Sequence, residues 1–512
     1  MRTITRQLGG SALSRAAIGG ELPEWYSEIP RGETGWGGAA RAVASRFKSE
    51  PWLERLAPAF NATGLAASKL DAVAAGAGIV VTGGQQPGLF GGPLYVLYKA
   101  VTLMELARAL ETVTSLPVAA VFWAAADDAD FVEASHVSVV SDGRLEHLAM
   151  MQPAIPGRSM AQTPLGDVSD LLDRLDIACG NVASPAYLRS VREAYVGAAT
   201  VGSAYVELLR TILAPLGVAV LDAAHPAVRE AGQATVYSAL VHADSISEAL
   251  KTRALDITAR GYRPQVAQVP NLSLVFETMD DGTRRRVPIR EAASVAAAGD
   301  AHRLGPNVLL RPVMELQILP TVTYVGGPGE IAYFAQVSAV ANALEVPVPR
   351  IVPRWSGTFV EEDVDNTLTR LGATESDFAD PHAIEGRVAR SAVSGPVLAA
   401  VNQIRQSVTS AAETMRADNQ TTEALGRSIG TMQAGIEHRL ARLERRYAAA
   451  VKQRGTDELR DVARVRAALA PDGAPQERVL SFIPFLARHG GEFLDSLQQA
   501  ARTHVDRLIQ GD

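Results

Sequence analysis

The run that most constrains the fold is one in which an apolar strand enters a glycine-rich loop and a helix leaves it. Residues 79–82, Ile-Val-Val-Thr, have the β-branched apolar make-up of a buried strand. Gly83-Gly84-Gln85-Gln86-Pro87-Gly88-Leu89-Phe90-Gly91-Gly92 interrupts any regular element, and Pro93 then suits the first position of a helix, where its missing N–H costs nothing. Leu94, Leu97, Val101 and Met104 recur at helical spacing and predict one buried stripe, with Tyr95, Lys99 and Thr102 on the opposite face. A second apolar strand, residues 117–126, ends in Asp127-Asp128-Ala129-Asp130-Phe131. Strand, helix, strand in this order builds a parallel α/β sheet, and such sheets bind ligands beyond the carboxyl ends of their strands. The glycine loop and the acidic cluster both occupy that kind of position.

The pattern continues along the chain. Residues 136–140 read as a third strand and 150–215 as mostly helical. Residues 217–221 form a buried strand ending in Asp222, followed by a long helix around 227–255. Residues 262–305 look like an insertion, with apolar–polar alternation over 265–275 and an Asp280-Asp281-Gly282 turn into a strand at 284–289. The core resumes with a strand at 308–310 before Arg311-Pro312, and another at 321–325 before Gly326-Gly327-Pro328-Gly329. A helix is predicted from Glu330, and Arg350 and Arg354 flank a last short strand. Beyond about residue 362 the period changes. Val397, Val401, Ile404, Val408, Ala411 and Met415 keep heptad spacing, and Leu425, Ile429, Met432 and Ile436 repeat it. Leu440, Leu443, Tyr447 and Ala450 continue after a stutter, and Asp418-Asn419-Gln420 supplies the turn of a coiled-coil hairpin. These shifts divide the chain into a core over 1–362 with inserts at about 150–215 and 262–305, a coiled coil over 363–470, and a segment over 471–512 that docks back on the core.

Composition narrows the function classes. A net charge of −7 offers no general affinity for nucleic acid or an anionic membrane. Cys179 is the only cysteine, which leaves no disulfide framework or cysteine metal cluster, and the histidines show no metal-ligand spacing. The N-terminus has no apolar stretch of the kind a signal peptide needs, and the most apolar run is about half a membrane span. A soluble cytoplasmic protein is the expectation.

Several of these stretches together resemble one family. Gly84-Gln85-Gln86, Gly88-Leu89 and Gly92-Pro93-Leu94-Tyr95 leading to Lys99 are similar to the hallmark loop of the cysteine-adding enzymes of bacillithiol biosynthesis, the cysteine ligases called BshC. The stretch from Trp123 to His136, the block from Arg311 to Tyr333 with Gln336 beyond it, and Gln476-Glu477-Arg478 with Gly490 fit the same pattern in order. The resemblance spans about residues 78 to 500. It implies a Rossmann-like core of nucleotidyltransferase type with connecting inserts, and a C-terminal α-helical coiled coil through which the protein forms a homodimer. It also implies an amide-forming reaction between the cysteine carboxyl and the amine of glucosaminyl-malate. No cofactor is expected to be permanently bound; ATP with Mg²⁺ is the expected co-substrate, because a carboxyl must be activated before an amine displaces its oxygen.

Within that frame each residue type has a stated use. A glycine loop opening a helix offers backbone N–H groups to a phosphate or carboxylate, with Lys99 as an added charge; taken alone, the loop reads as a tight turn. Gln85 and Gln86 donate and accept without charge and suit sugar hydroxyls or the polar groups of cysteine. Asp127, Asp128 and Asp130 crowd negative charge. One is expected to cap a helix and at least one to face the ligand, where it would bind an amine, hold Mg²⁺ or accept a proton, with His136 as the nearby alternative. Gly326, Gly327, Gly329 and Glu330 repeat the strand–turn–helix corner. Arg311, Arg350 and Arg354 carry forks that match carboxylates, of which the malate half has two. The expected catalytic residues are Asp128, Asp130, His136 and Lys99. The expected binding residues are Thr82, Gly84, Gln85, Gln86, Gly88, Tyr95, Arg311, Tyr324, Gly326, Gly327, Gly329, Glu330 and Arg350, with no metal ligand.

One departure bears on activity. The family's acidic segment usually reads Glu-Asp-His-Asp-Phe, and Ala129 stands at the histidine. Met314-Glu315 also departs from the usual Val-Gln pair. Two other readings therefore stand beside the ligase: a related ligase or nucleotidyltransferase for another amino acid or amine, and a catalytically degenerate coiled-coil scaffold.

Overall fold

The computed structural model describes every residue except 154, 381–382, 392, 455–456 and 512, and the side chains of 383, 391 and 451–454 are left aside with them. Contacts gather into two units: residues 3–141, 146–358 and 477–512 form one, and residues 1–2, 142–145 and 359–476 the other.

In the first unit, β1 (Ile79–Gln85) leads through the glycine loop into α1 (Leu94–Thr114), and β2 (Val118–Ala124) follows. Residues 136–140, read as a third strand, leave this sheet: His136–Ser141 pairs instead with Arg144–Ala149 in a two-stranded ribbon. β3 (Val218–Asp222) ends at the expected aspartate, but the long helix beyond it is two helices, Pro226–Val241 and Ala243–Ala259, broken at His242. The insertion carries β4 (Leu272–Thr278), β5 (Arg284–Pro288) and β6 (Leu304–Pro306), an antiparallel sheet in the order β5-β4-β6. Residues 308–310 form a turn rather than a strand. The Asn307 Oδ1 accepts from the N–H groups of Leu309 and Leu310, and this polar cap starts α2 (Arg311–Ile318) at once, with Pro312 in its first turn. Then come β7 (Thr321–Gly326), α3 (Pro328–Ala343) and β8 (Ile351–Pro353).

The central sheet has the order β8-β7-β1-β2-β3, with every neighbouring pair parallel. The chain winds outward from β1 to β2 and β3, then crosses back to lay β7 on the other flank of β1. Strand order reverses between β1 and β7, the point where open α/β sheets form their ligand crevice. Close approach of β1 and β2 explains Gly84: a Cβ there would lie 2.4 Å from the Trp123 carbonyl oxygen.

The two-faced reading of α1 gives way, from Leu94 to Ala107, to a helix with no exposed residue. Lys99 is 1% and Thr102 0% exposed, because α4 (Ile483–Gln510) covers the face that the sheet does not. Thr102 satisfies its hydroxyl on the Tyr98 carbonyl and accepts from the Trp355 N–H, so a polar residue is buried there without loss.

The second unit contains the predicted hairpin, helices Gly395–Ala417 and Glu423–Arg454 joined across residues 418–422. Its seam is only partly closed. Val401, Ala412, Leu440 and Ala448 are buried, whereas Ile404, Met415, Leu425, Met432, Leu443 and Tyr447 are all at least 40% exposed. Arg405 ties the two helices together through Glu437 and Glu444, at 3.0 and 3.3 Å. Among the described residues no helix is long and apolar enough to cross a membrane.

Candidate active site

A cleft of about 590 Å³ opens beyond the carboxyl ends of β1, β2 and β7, within the size range of small-molecule sites. Its walls come from four places: the Gln85-Gln86 corner, the acidic loop after β2, the turn into α3, and the insertion sheet.

A buried ionic chain ties β1 to β7. Lys99 Nζ lies 2.6 Å from Glu330 Oε2, 3.1 Å from Gln85 Oε1, and also donates to the Gly84 carbonyl. Glu330 folds back to accept from the Gly327 N–H at 2.6 Å, which closes the first turn of α3, and from the Tyr324 hydroxyl at 2.5 Å. Tyr324 in turn accepts from the Gly84 N–H and from Arg311. Arg311 reaches Tyr333 at 3.1 Å and pairs with Glu315 at 2.9 Å. Burial pushes the Glu330 carboxyl up, but Lys99, the Gly327 N–H and Tyr324 outweigh it and hold it below the ordinary glutamate value. Burial lowers Lys99 despite Glu330, and raises Glu315 despite Arg311.

The acidic loop forms the opposing wall. Asp130 caps the short turn Phe131–Ala134 by accepting from the Glu133 N–H, so it is the expected cap. Asp128 faces the cleft and accepts from the Gln86 amide and the Ala129 N–H. Glu133, one turn on, sits 3.4 Å from both Gln85 Nε2 and the Tyr95 hydroxyl. Burial, then the neighbouring Asp127, raises the Asp128 carboxyl; burial, then Asp130, raises Glu133. Carboxyls with raised values in a cleft are candidate proton acceptors.

Several expected residues are placed elsewhere. His136 is exposed, bonds the Val132 carbonyl through Nδ1 and does not line the cleft. Arg350 donates to the carbonyls of Glu28 and Val322 at the far end of β8. Thr82 and Gly326 lie buried within their strands, and Gly88 packs inside the loop, where a Cβ would meet Gly92 Cα at 2.7 Å. Tyr324 lies beneath the cleft, hydrogen-bonded to Glu330 and Arg311. Ala129 lies between lining residues without lining the cleft itself.

The second half of the glycine loop is closed by its own hydrogen bonds. The Phe90 N–H donates to the Tyr195 hydroxyl, Gly91 and Gly92 to the carbonyls of Gly88 and Leu89, and Leu94 to Leu480. These four amides are satisfied within the chain and are not offered to the cleft. Among the described residues, no cluster of three or more His, Cys, Asp or Glu side chains is arranged to hold a metal ion.

The polar lining residues that the sequence reading missed are Glu133, Arg284, Arg286, Asn307 and Arg478. Glu133 carried a weak signal, an acid three residues after a cap. Arg284-Arg285-Arg286 carried a better one, alternation on a strand leaving an Asp-Asp-Gly turn.

Comparison with known proteins agrees with this architecture. Residues 39–355 match the family description "Bacillithiol biosynthesis BshC, N-terminal Rossmann-like domain", and residues 357–507 match "Bacillithiol biosynthesis BshC, C-terminal coiled-coil domain". The chain is 29% identical over 452 residues to "Putative cysteine ligase BshC" of Solibacter usitatus, covering 83% of this chain and 84% of that protein. It is 29% identical over 457 residues to the protein of the same name from Heliobacterium modesticaldum, covering 84% and 82%, and 28% identical over 451 residues to that from Salinibacter ruber, covering 83% and 81%. With both matches in order and together spanning most of its length, the chain belongs to the BshC family.

Proposed function

We propose that the protein is a ligase that joins the carboxyl of L-cysteine to the amine of glucosaminyl-malate, completing bacillithiol. The observation that carries this reading is one cleft lined both by carboxyls, Asp128 and Glu133, and by arginines, at the switch point of the sheet. The acidic wall attracts the amine as an ammonium ion. To attack, the amine must lose a proton, and Asp128, with its value raised, is placed to take it. The nitrogen then bonds to the carbonyl carbon of activated cysteine as the bond to the leaving oxygen breaks. Gln86 fixes the Asp128 carboxylate, and Lys99–Glu330 hold the corner from which Gln85 projects. ATP with Mg²⁺ remains the proposed activating co-substrate, with no residue assigned to it.

The exposed apolar stripe of the hairpin supports a homodimer formed through the coiled coil. Single helices of a coiled coil expose such a seam only when a second layer covers it.

The deciding experiment incubates the purified protein with glucosaminyl-malate, cysteine and Mg-ATP and looks for bacillithiol by mass spectrometry, beside Gln86→Ala and Ala129→His. Product from the wild type that is lost in Gln86→Ala supports the ligase. Product only from Ala129→His would replace it with a disabled site, and product with a different amine or amino acid alone would redirect the substrate.

A further inference from the structure

Of the six cations lining the cleft, three are closely paired with a carboxylate of the protein. Lys99 is paired with Glu330 and Arg311 with Glu315, and Arg354 is held by Glu477 at 2.7 Å with both side chains under 10% exposed. Among the described residues, three lining cations have no carboxylate oxygen within 3.5 Å: Arg284, Arg286 and Arg478. Arg478 is exposed. The other two stand on β5 two residues apart, so they share one face of the strand. Arg285 between them points away, bound to Glu277 and Glu291 at 2.8 and 3.0 Å.

Both inward guanidiniums are held in place by uncharged contacts. Arg284 donates to the Asp127 carbonyl, and its nearest carboxylate oxygen, Asp127 Oδ2, is 3.9 Å away. Arg286 donates from Nε and Nη2 to the Ser273 carbonyl. Phe276 lies between them, its ring centre 4.4 Å from the Arg284 guanidinium carbon and 5.8 Å from that of Arg286. Stacking on a ring orients a guanidinium and leaves edge N–H groups free to fork onto a carboxylate. Arg286 keeps its positive charge with no carboxylate at contact distance, and Arg284 has only the longer contact to Asp127.

We propose that Arg284 and Arg286 form the subsite for the carboxylate end of the amine substrate, with the acidic wall receiving its amine. Arg284 rests on the backbone of Asp127, one residue from Asp128, so the two subsites adjoin. A substrate with an amine at one end and carboxylates at the other is held at both. The insertion sheet thereby acts as the element that selects an acidic amine over a neutral one. The identity of that amine as glucosaminyl-malate rests on the function proposed above.

The test compares wild type, Arg286→Ala, Arg286→Lys and Arg284→Ala in the product assay, with glucosaminyl-malate and with methyl glucosaminide, which keeps the amine and lacks the carboxylates. The wild type is expected to prefer glucosaminyl-malate by about 10²-fold or more in kcat/KM, because a site built for a charged group rejects an analogue without it. Arg286→Ala is expected to raise KM for glucosaminyl-malate at least about tenfold and to leave KM for cysteine and for ATP unchanged, with Arg286→Lys between. A shift confined to the cysteine or ATP KM, or an equal loss with the neutral amine, would overturn the subsite while leaving the ligase reading intact. Malate alone, titrated by calorimetry, supplies an arm free of turnover. Binding by wild type that is lost in the folded Arg284→Ala or Arg286→Lys protein supports the subsite even where no product forms. Absence of malate binding to wild type, together with no preference between the two amines, overturns it.

Discussion

Lys99 Nζ sits 2.6 Å from Glu330 Oε2, and that contact joins the helix after β1 to the helix after β7 across the point where strand order reverses. Lys99 is 1% exposed, so the pair lies in a region where one partner left alone would be a buried charge.

Removing Lys99 therefore should cost more than removing the pair. Lys99→Met is expected to destabilise the protein by about 3–5 kcal/mol, and Lys99→Met/Glu330→Gln by clearly less, because the double variant leaves no uncompensated ion. Chemical denaturation of the four proteins of the cycle measures the difference. Equal losses in the single and double variants would show that the contact contributes packing alone.

The same pair sets a sign for the pH dependence of stability. Glu330 is held below its ordinary value of 4.5, so its contribution is present above that pH and is lost as pH falls toward the lower folded-state value. Glu315, Asp128 and Glu133 are raised, so each favours the folded state on the acid side and loses that advantage as pH rises through its folded-state value. Glu330→Gln should flatten the fall in melting temperature below about pH 4.5. Glu315→Gln should instead make the protein relatively more stable toward neutral pH than at acid pH. Melting curves from pH 3.5 to 7, a range chosen to bracket about one unit below the reference glutamate value and the neutral region, decide it.

Much of this arrangement is legible in the amino-acid sequence. Alternation of apolar strand and helix places β1, α1, β2 and β7, and the acidic run marks the end of β2, because burial and turn chemistry leave local marks. Whatever depends on distant residues leaves none. The inner faces of α1 do not reveal that a helix nearly four hundred residues later, Ile483–Gln510, buries Lys99 and Thr102. The glycine loop has the composition of an anion cradle, but whether its amides are free depends on Tyr195 and Leu480, both distant in sequence. Arg311 reads as a strand end because the Asn307 cap that turns it into a helix start is a side-chain event.

Asp128 should govern the acid limb of the reaction. Its carboxyl is raised by burial and by Asp127, and it must be ionised to accept the amine proton. The kcat/KM profile is therefore expected to rise with pH through a midpoint above the ordinary aspartate value of 3.8. Asp128→Asn should lower kcat by about 10²–10⁴-fold with little change in the melting temperature. Glu133→Gln should lower it less and move the midpoint down, since one neighbouring charge is gone. An unchanged midpoint and rate in Asp128→Asn would remove this carboxylate from the proton path.

The seam of the hairpin gives the last test. Leu425 is 53% and Met432 42% exposed, on the same heptad run, while Leu440 further along is buried at 8%. If a second copy covers the open stretch, a charge there breaks the dimer without unfolding the hairpin, whose own closure rests on Val401, Ala412, Leu440 and Ala448. Leu425→Glu/Met432→Glu is expected to sediment as a monomer with unchanged helical content by circular dichroism. Leu440→Glu, placed in the buried part, should lose helix as well. A wild type that sediments as a monomer, or a Leu425→Glu/Met432→Glu protein that stays dimeric, would move the interface off this stripe.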